Sequence, residues 1–134
     1  MRRRVAARVT AAVAAFAAGA VGVGLVRRVE VTGPSMRPAL EPGDRLLVLV
    51  WRRIRAGDMV ALADPREPTR TLVKRVGRVD DATLTVLGDD PAASTDSRSF
   101  GPVSRRTVLG RAVYRYAPGD RAGPIKRGSR AARR

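Results

Sequence analysis

The chain contains no histidine and no cysteine, and of its 27 basic residues only Lys74 and Lys126 are lysines. An arginine keeps its proton at any pH near neutral, whereas a lysine enclosed by apolar groups loses hydration and can become a base. Lys74 lies inside the apolar run Thr71-Leu72-Val73-Lys74-Arg75-Val76, and Ser35 lies in the turn-forming string Gly33-Pro34-Ser35-Met36-Arg37-Pro38. A hydroxyl beside a neutral amine can attack a carbonyl, and with histidine and cysteine missing, a Ser-His-Asp triad and a thiol nucleophile are both excluded. A Ser/Lys dyad is the chemistry that remains. In an extended strand Lys74 shares a face with Leu72 and Val76, and Arg75 shares the other with Val73. Alternation alone leaves open which of the two cations is buried. A third string, Gly88-Asp89-Asp90-Pro91-Ala92-Ala93-Ser94-Thr95-Asp96-Ser97-Arg98, is polar and rich in turn formers. It could supply a hydroxyl to orient Lys74 and an Asp96–Arg98 ion pair to brace the loop. Taken singly, each of the three strings would pass for ordinary loop or strand.

These groups need rigid elements to carry them. Short β-branched runs at 29–32, 45–51, 58–63, 71–79, 83–87 and 107–116 alternate with turns such as Pro42-Gly43-Asp44, Ala56-Gly57-Asp58 and Gly101-Pro102. That spacing predicts a mainly β domain, a small antiparallel barrel or folded sheet. Asp80-Asp81 forms the turn of a hairpin whose first strand carries Lys74. Ahead of the domain, Arg2, Arg3, Arg4 and Arg8 precede an uncharged apolar stretch at 9–26, closed by Arg27 and Arg28. At 1.5 Å per residue such a stretch covers about 27 Å, enough to cross a bilayer core. The excess of arginine before it predicts a cytoplasmic N-terminus and an extracytoplasmic domain. A removable signal peptide would still export the domain but leave it unanchored. The expected division is a basic flank and membrane anchor at 1–28, a catalytic domain at 29–117 and a basic, disordered tail at 118–134, placed to meet anionic lipid headgroups.

Composition narrows the partners. Without Cys or His a metal cofactor has few ligands, and no cofactor or metal is expected. The net charge of +15 raises nucleic acid as a partner, but aromatic residues are only 4% of the chain and the arginines are dispersed. Neither a stacking platform nor a concentrated basic stripe is visible, so no nucleic acid is expected.

The strings taken in order resemble the signature boxes of type I signal peptidases. Those boxes are Ser35-Met36-Arg37-Pro38-Ala39-Leu40 with Gly43-Asp44, then Val73-Lys74-Arg75-Val76, then Gly88-Asp89 through Ser94, Asp96, Ser97 and Arg98 to Gly101-Pro102-Val103. The resemblance implies a membrane-bound serine endopeptidase, in minimal single-domain form, that removes signal peptides from exported preproteins after Ala-x-Ala. It implies Ser35 as nucleophile and Lys74 as general base, with Ser94 orienting Lys74 and Asp96 with Arg98 holding the loop. The Ser35 amide would donate to the oxyanion, Met36 would line the site, and Gly33 leaves no side-chain hydroxyl beside it. Ala39 stands where the family usually has Thr, and Asp90 where it usually has Asn. Small relatives include dedicated maturation proteases, such as those acting on nickel superoxide dismutase precursors. A non-catalytic, membrane-anchored basic binding protein is the alternative from another class. A self-cleaving repressor would need a DNA-binding helical domain that this sequence lacks. The expected partners are secretory signal peptides and the plasma-membrane bilayer.

Overall fold

The computed structural model describes residues 24–50 and 53–128. Eight strands form one sheet: β1 (Val26–Glu30), β2 (Arg45–Leu49), β3 (Met59–Asp64), β4 (Glu67–Val79), β5 (Thr83–Leu87), β6 (Val103–Ser104), β7 (Val108–Ala117) and β8 (Gly123–Pro124). Their order is β1-β2-β7-β3-β4-β5-β6, with β8 on β7, and every pairing is antiparallel. The one α-helical segment among the described residues is the single turn Ser97–Phe100.

The sheet is folded so that both of its faces are covered. Met59 and Ala61 of β3 join Val73, Met36, Leu40, Leu46 and Val48 in one core cluster. The alternate residues Val60 and Leu62 join Leu72, Val76, Leu84 and Val86 in the other. A strand buried on both faces needs a continuous apolar run rather than alternation, which is why β3 reads Met-Val-Ala-Leu-Ala. Two matching turns fix the strands on either side. Gly43 and Gly57 take left-handed φ values of +92° and +90°, open to glycine without steric penalty. The aspartate after each glycine accepts from an amide three residues back, Glu41 to Asp44 at 2.9 Å and Arg55 to Asp58 at 2.7 Å.

Five arginines neutralise buried carboxylates. Asp44 is met by Arg115 and Arg121, Asp58 by Arg127, Asp64 by Arg66 and Asp96 by Arg98, at 2.6–3.2 Å. In each pair the carboxylate is buried, and its arginine keeps it from being stranded without a counter-charge.

Two expectations change. β1 begins at Val26, so residues 26–28, assigned to the end of the anchor, are paired with Leu49, Val48 and Leu47 of β2. The rest of the apolar stretch, up to residue 23, lies outside the described residues, and among those described no helix is long and apolar enough to cross a membrane. The tail is also ordered as far as residue 128. A 3-10 turn at Gly119–Arg121 leads into β8, where Gly123 and Pro124 pair with Arg115 and Tyr114. Ile125 then packs on the first core cluster, Arg127 Nε donates to Asp58 Oδ1 at 2.9 Å, and the Gly128 amide donates to Gly57 O at 2.9 Å. The physical reason is that one apolar anchor and one buried acceptor outweigh the repulsion among basic neighbours.

Candidate active site

The Ser35 turn follows directly from β1. Val31 is bound at both of its backbone groups, its amide donating to Asp44 O at 2.8 Å and its carbonyl accepting from the Gly43 amide at 2.7 Å. Met36, 1% exposed, is buried in the first core cluster, and the Arg37 amide donates to Pro34 O. Ser35 is thus held between two core anchors, Val31 and Met36, while its own side chain stays partly accessible. Met36 is among the residues along the cleft, but its burial makes it an anchor of the turn more than an exposed contact surface.

β4 carries both cations, and both are buried, Lys74 at 3% and Arg75 at 7% exposure. Lys74 shares its face with Leu72 and Val76, pairs with Val60 of β3, and donates from Nζ to Ser94 Oγ at 3.0 Å. Ser94 in turn donates to Asp96 Oδ2 at 2.8 Å. Asp96 is fixed from several sides, by Arg98 Nε at 2.9 Å and Nη2 at 2.6 Å, and by the amides of Gly88 at 2.8 Å and Arg98 at 3.1 Å. Burial works to raise the Asp96 pKa, but the Arg98 side chain, the Gly88 amide and the Ser94 hydroxyl outweigh it and hold the carboxyl below the ordinary range. An ionised carboxylate can only accept, so the single Ser94 proton is committed to Asp96 and Ser94 can only accept from Lys74. A neutral Lys74 must then direct its lone pair away from Ser94.

Burial lowers the Lys74 pKa from its usual 10.5, Asp96 partly opposes this, and the positive charges of Arg66 and Arg70 add to the lowering. Ser35 and Lys74 line the same cleft, of about 240 Å³, together with Gly33, Pro34, Leu72, Val73, Ala93 and Thr95 among others. No direct Ser35–Lys74 hydrogen bond is formed among the described residues; contacts of this kind commonly tighten once substrate is bound. A cleft that holds a hydroxyl and a pKa-lowered amine, without histidine or metal ligands, can do acyl-transfer chemistry.

Gly88 is where the parts meet. A Cβ there would overlap the Ser94 side chain and come within 2.8 Å of the Ser35 carbonyl oxygen. The Asp90 amide donates to that same carbonyl at 2.9 Å. This bond uses the backbone of Asp90, so an acidic side chain at that position leaves it intact.

Sequence reasoning missed Asp89 as a bracing residue. Arg75 Nε and Nη2 donate to its two carboxylate oxygens at 3.1 and 2.6 Å, and Arg75 Nη1 reaches Gly57 O and Lys126 O. The available signal was the Gly-Asp pair closing a strand directly before the loop. Arg66 and Arg70 were missed as well, because their approach to the cleft depends on the fold of β4 across β3.

The fold is a small antiparallel β domain with a serine and a buried lysine on one cleft, in a sequence that holds no histidine. The chain belongs to the family described as Signal peptidase, peptidase S26, which it matches over residues 2–80 and 77–117. It is 34% identical to mitochondrial ATP-independent inner membrane protease subunit 1a of Arabidopsis thaliana, covering 76% of this chain and 77% of that one. It is also 32% identical to mitochondrial inner membrane protease subunit 2 of Schizosaccharomyces pombe, with 71% and 67% covered. The corresponding subunit 2 of Homo sapiens is 31% identical, with 74% and 70% covered. Membership makes the chain a peptidase of the serine type, signal-peptidase-like in activity.

Proposed function

We propose that the chain is a membrane-bound serine endopeptidase that cleaves signal peptides from preproteins after small residues, Ala-x-Ala being the default site. The observation that carries this reading is the hydrogen-bonded line Lys74–Ser94–Asp96 ending in the cleft that Ser35 also faces. Neutral Lys74 takes the Ser35 proton as Oγ bonds to the scissile carbonyl carbon. The Ser35 amide stabilises the resulting oxyanion. Lys74 then gives the proton to the departing amine as the C–N bond breaks, leaving an acyl-enzyme. A water, deprotonated by Lys74, hydrolyses that ester and restores Ser35.

The substrate is held extended. β4 pairs with β3 across residues 71–75, but its pairing with β5 begins only at Arg75. The other backbone edge from Arg70 to Lys74 therefore carries no strand among the described residues, and the cleft runs beside it. A peptide can add there as a strand, with main-chain hydrogen bonds giving affinity and side chains giving selectivity. The apolar stretch that begins at residue 9 and ends ahead of β1 is the anchor, with the N-terminus cytoplasmic and the domain on the far side of the plasma membrane. The membrane location of the named relatives supports the anchoring.

The test is cleavage of a preprotein with an Ala-x-Ala site by detergent-solubilised full-length protein, beside Ser35→Ala and Lys74→Arg. Cutting after the second Ala, lost in both variants, is expected. An active Lys74→Arg protein would overturn the mechanism, since arginine keeps the charge and cannot serve as the base.

A further inference from the structure

We propose that Arg70, supported by Arg66, makes the cleft select substrates with a carboxylate at the fourth or fifth residue before the cut. This rests on the peptidase reading above and names a substrate feature beyond the small residues at the cleavage site. Arg70 lines the same cleft as Leu72 and Lys74, from the start of β4, where its pairing with β3 is irregular between Glu67 and Thr71. At about 3.3 Å per residue, Arg70 lies roughly 13 Å along the strand from Lys74. A peptide extended beside this edge and parallel to β4, with its scissile carbonyl at Lys74, brings the residue four positions earlier to Arg70.

The two arginines differ in what they have left to give. Arg66 is already committed to buried Asp64, donating to Oδ1 from Nε and to Oδ2 from Nη2, both at 3.0 Å, and its guanidinium lies 5.7 Å from the Phe100 ring centroid. Arg70 makes no ion pair among the described residues, is exposed, and lines the cleft. The acidic residue that also lines the cleft, Glu30, is faced by Arg45 at 4.0 Å and so is partly offset. With Lys74 adding its own charge when protonated, the cleft presents more positive than negative charge to an incoming chain. Such a field favours an acidic side chain and disfavours a basic one at the position nearest the uncommitted cation.

The experiment uses full-length protein in detergent and a set of preproteins sharing one Ala-x-Ala site, with Asp, Ala or Lys at both the fourth and fifth residues before the cut. Wild type should cut the Asp substrate with kcat/KM about fivefold above the Ala substrate, the range of an exposed ion pair, and the Lys substrate more slowly still. High salt should shrink the preference. In Arg70→Glu the order of the Asp and Lys substrates should reverse. Because Arg70 also acts on Lys74, the readout is the ratio between substrates, not the absolute rate. Equal rates for the three substrates in wild type, or an unchanged order in Arg70→Glu, would overturn the inference while leaving the peptidase reading standing. Failure of wild type to cut any of the three would sink both.

Discussion

Lys74 and Arg75 are neighbours on one strand, both buried and both cationic by type, yet the molecule treats them in opposite ways. Arg75 is given a bidentate carboxylate, Asp89, and two carbonyls, Gly57 and Lys126. Lys74 receives one hydroxyl, and the carboxylate behind that hydroxyl is already occupied by Arg98. Asp89 matches the buried charge of Arg75, whereas a lysine buried with a neutral partner is pushed toward losing its proton. The comparison teaches that burial alone does not mark a reactive lysine. What distinguishes it is the partner withheld from it.

The sharpest way to break this comparison is to substitute each member separately. Lys74→Arg should lower kcat by about a thousandfold, within the range attributed to a general base, as measured by preprotein cleavage. Arg75→Ala should instead act on stability, by about 3–5 kcal/mol, because Asp89 is left without its partner. Thermal unfolding read beside cleavage at low temperature separates the two, and equal effects on both readouts from both variants would collapse the distinction. Next comes Gly88→Ala, which forces Ser94 away from Gly88 and presses on the Ser35 carbonyl. It should reduce kcat by roughly a hundredfold through misplacement alone.

Smaller shifts sharpen the contrast through pH. Cleavage should rise with pH as Lys74 deprotonates, with its midpoint below 10.5 because burial lowers that group. Asp96 attracts the proton on Lys74, so Asp96→Asn should move the midpoint further down, and a midpoint that rises would contradict the assigned line of contacts. Asp96 also has its own signature in stability. Its folded pKa is depressed from 3.8, so its contribution is present above that value and disappears as pH falls toward the folded value. Arg98→Ala should weaken this acid sensitivity, measured as Tm against pH between wild type and variant.

The strands were legible because their signals are local. β5 lies where its β-branched residues and flanking turns put it, and β3, β4 and β7 are displaced by only a few residues at their ends. The face of Lys74 was left open by alternation and is decided by β3 and β4 both being covered on two sides, a property of the folded sheet. The Asp96–Arg98 pair was readable because the partners are two residues apart. Arg75–Asp89 and the approach of Arg70 to the cleft depend on strand pairing across the sheet. The tail misled because its basic composition is that of a solvated segment, while a single Ile125 and a buried Asp58 acceptor hold it in place.

That docked segment sets an order of events during synthesis. Arg75 bonds the carbonyl of Lys126, 51 residues later in the chain, and Arg127 bonds Asp58 across 69 residues. The strands around Ser35 and Lys74 lie earlier in the chain, but the arginine that braces the loop at Asp89 is not fully enclosed until the segment after β8 has docked on Gly57 and Asp58. Such late, non-local closure comes after local strand pairing, because the intervening chain must first be ordered. Docking of residues 125–128 therefore completes the enclosure of Arg75 after the strands around it have paired, and works as the clasp of the domain.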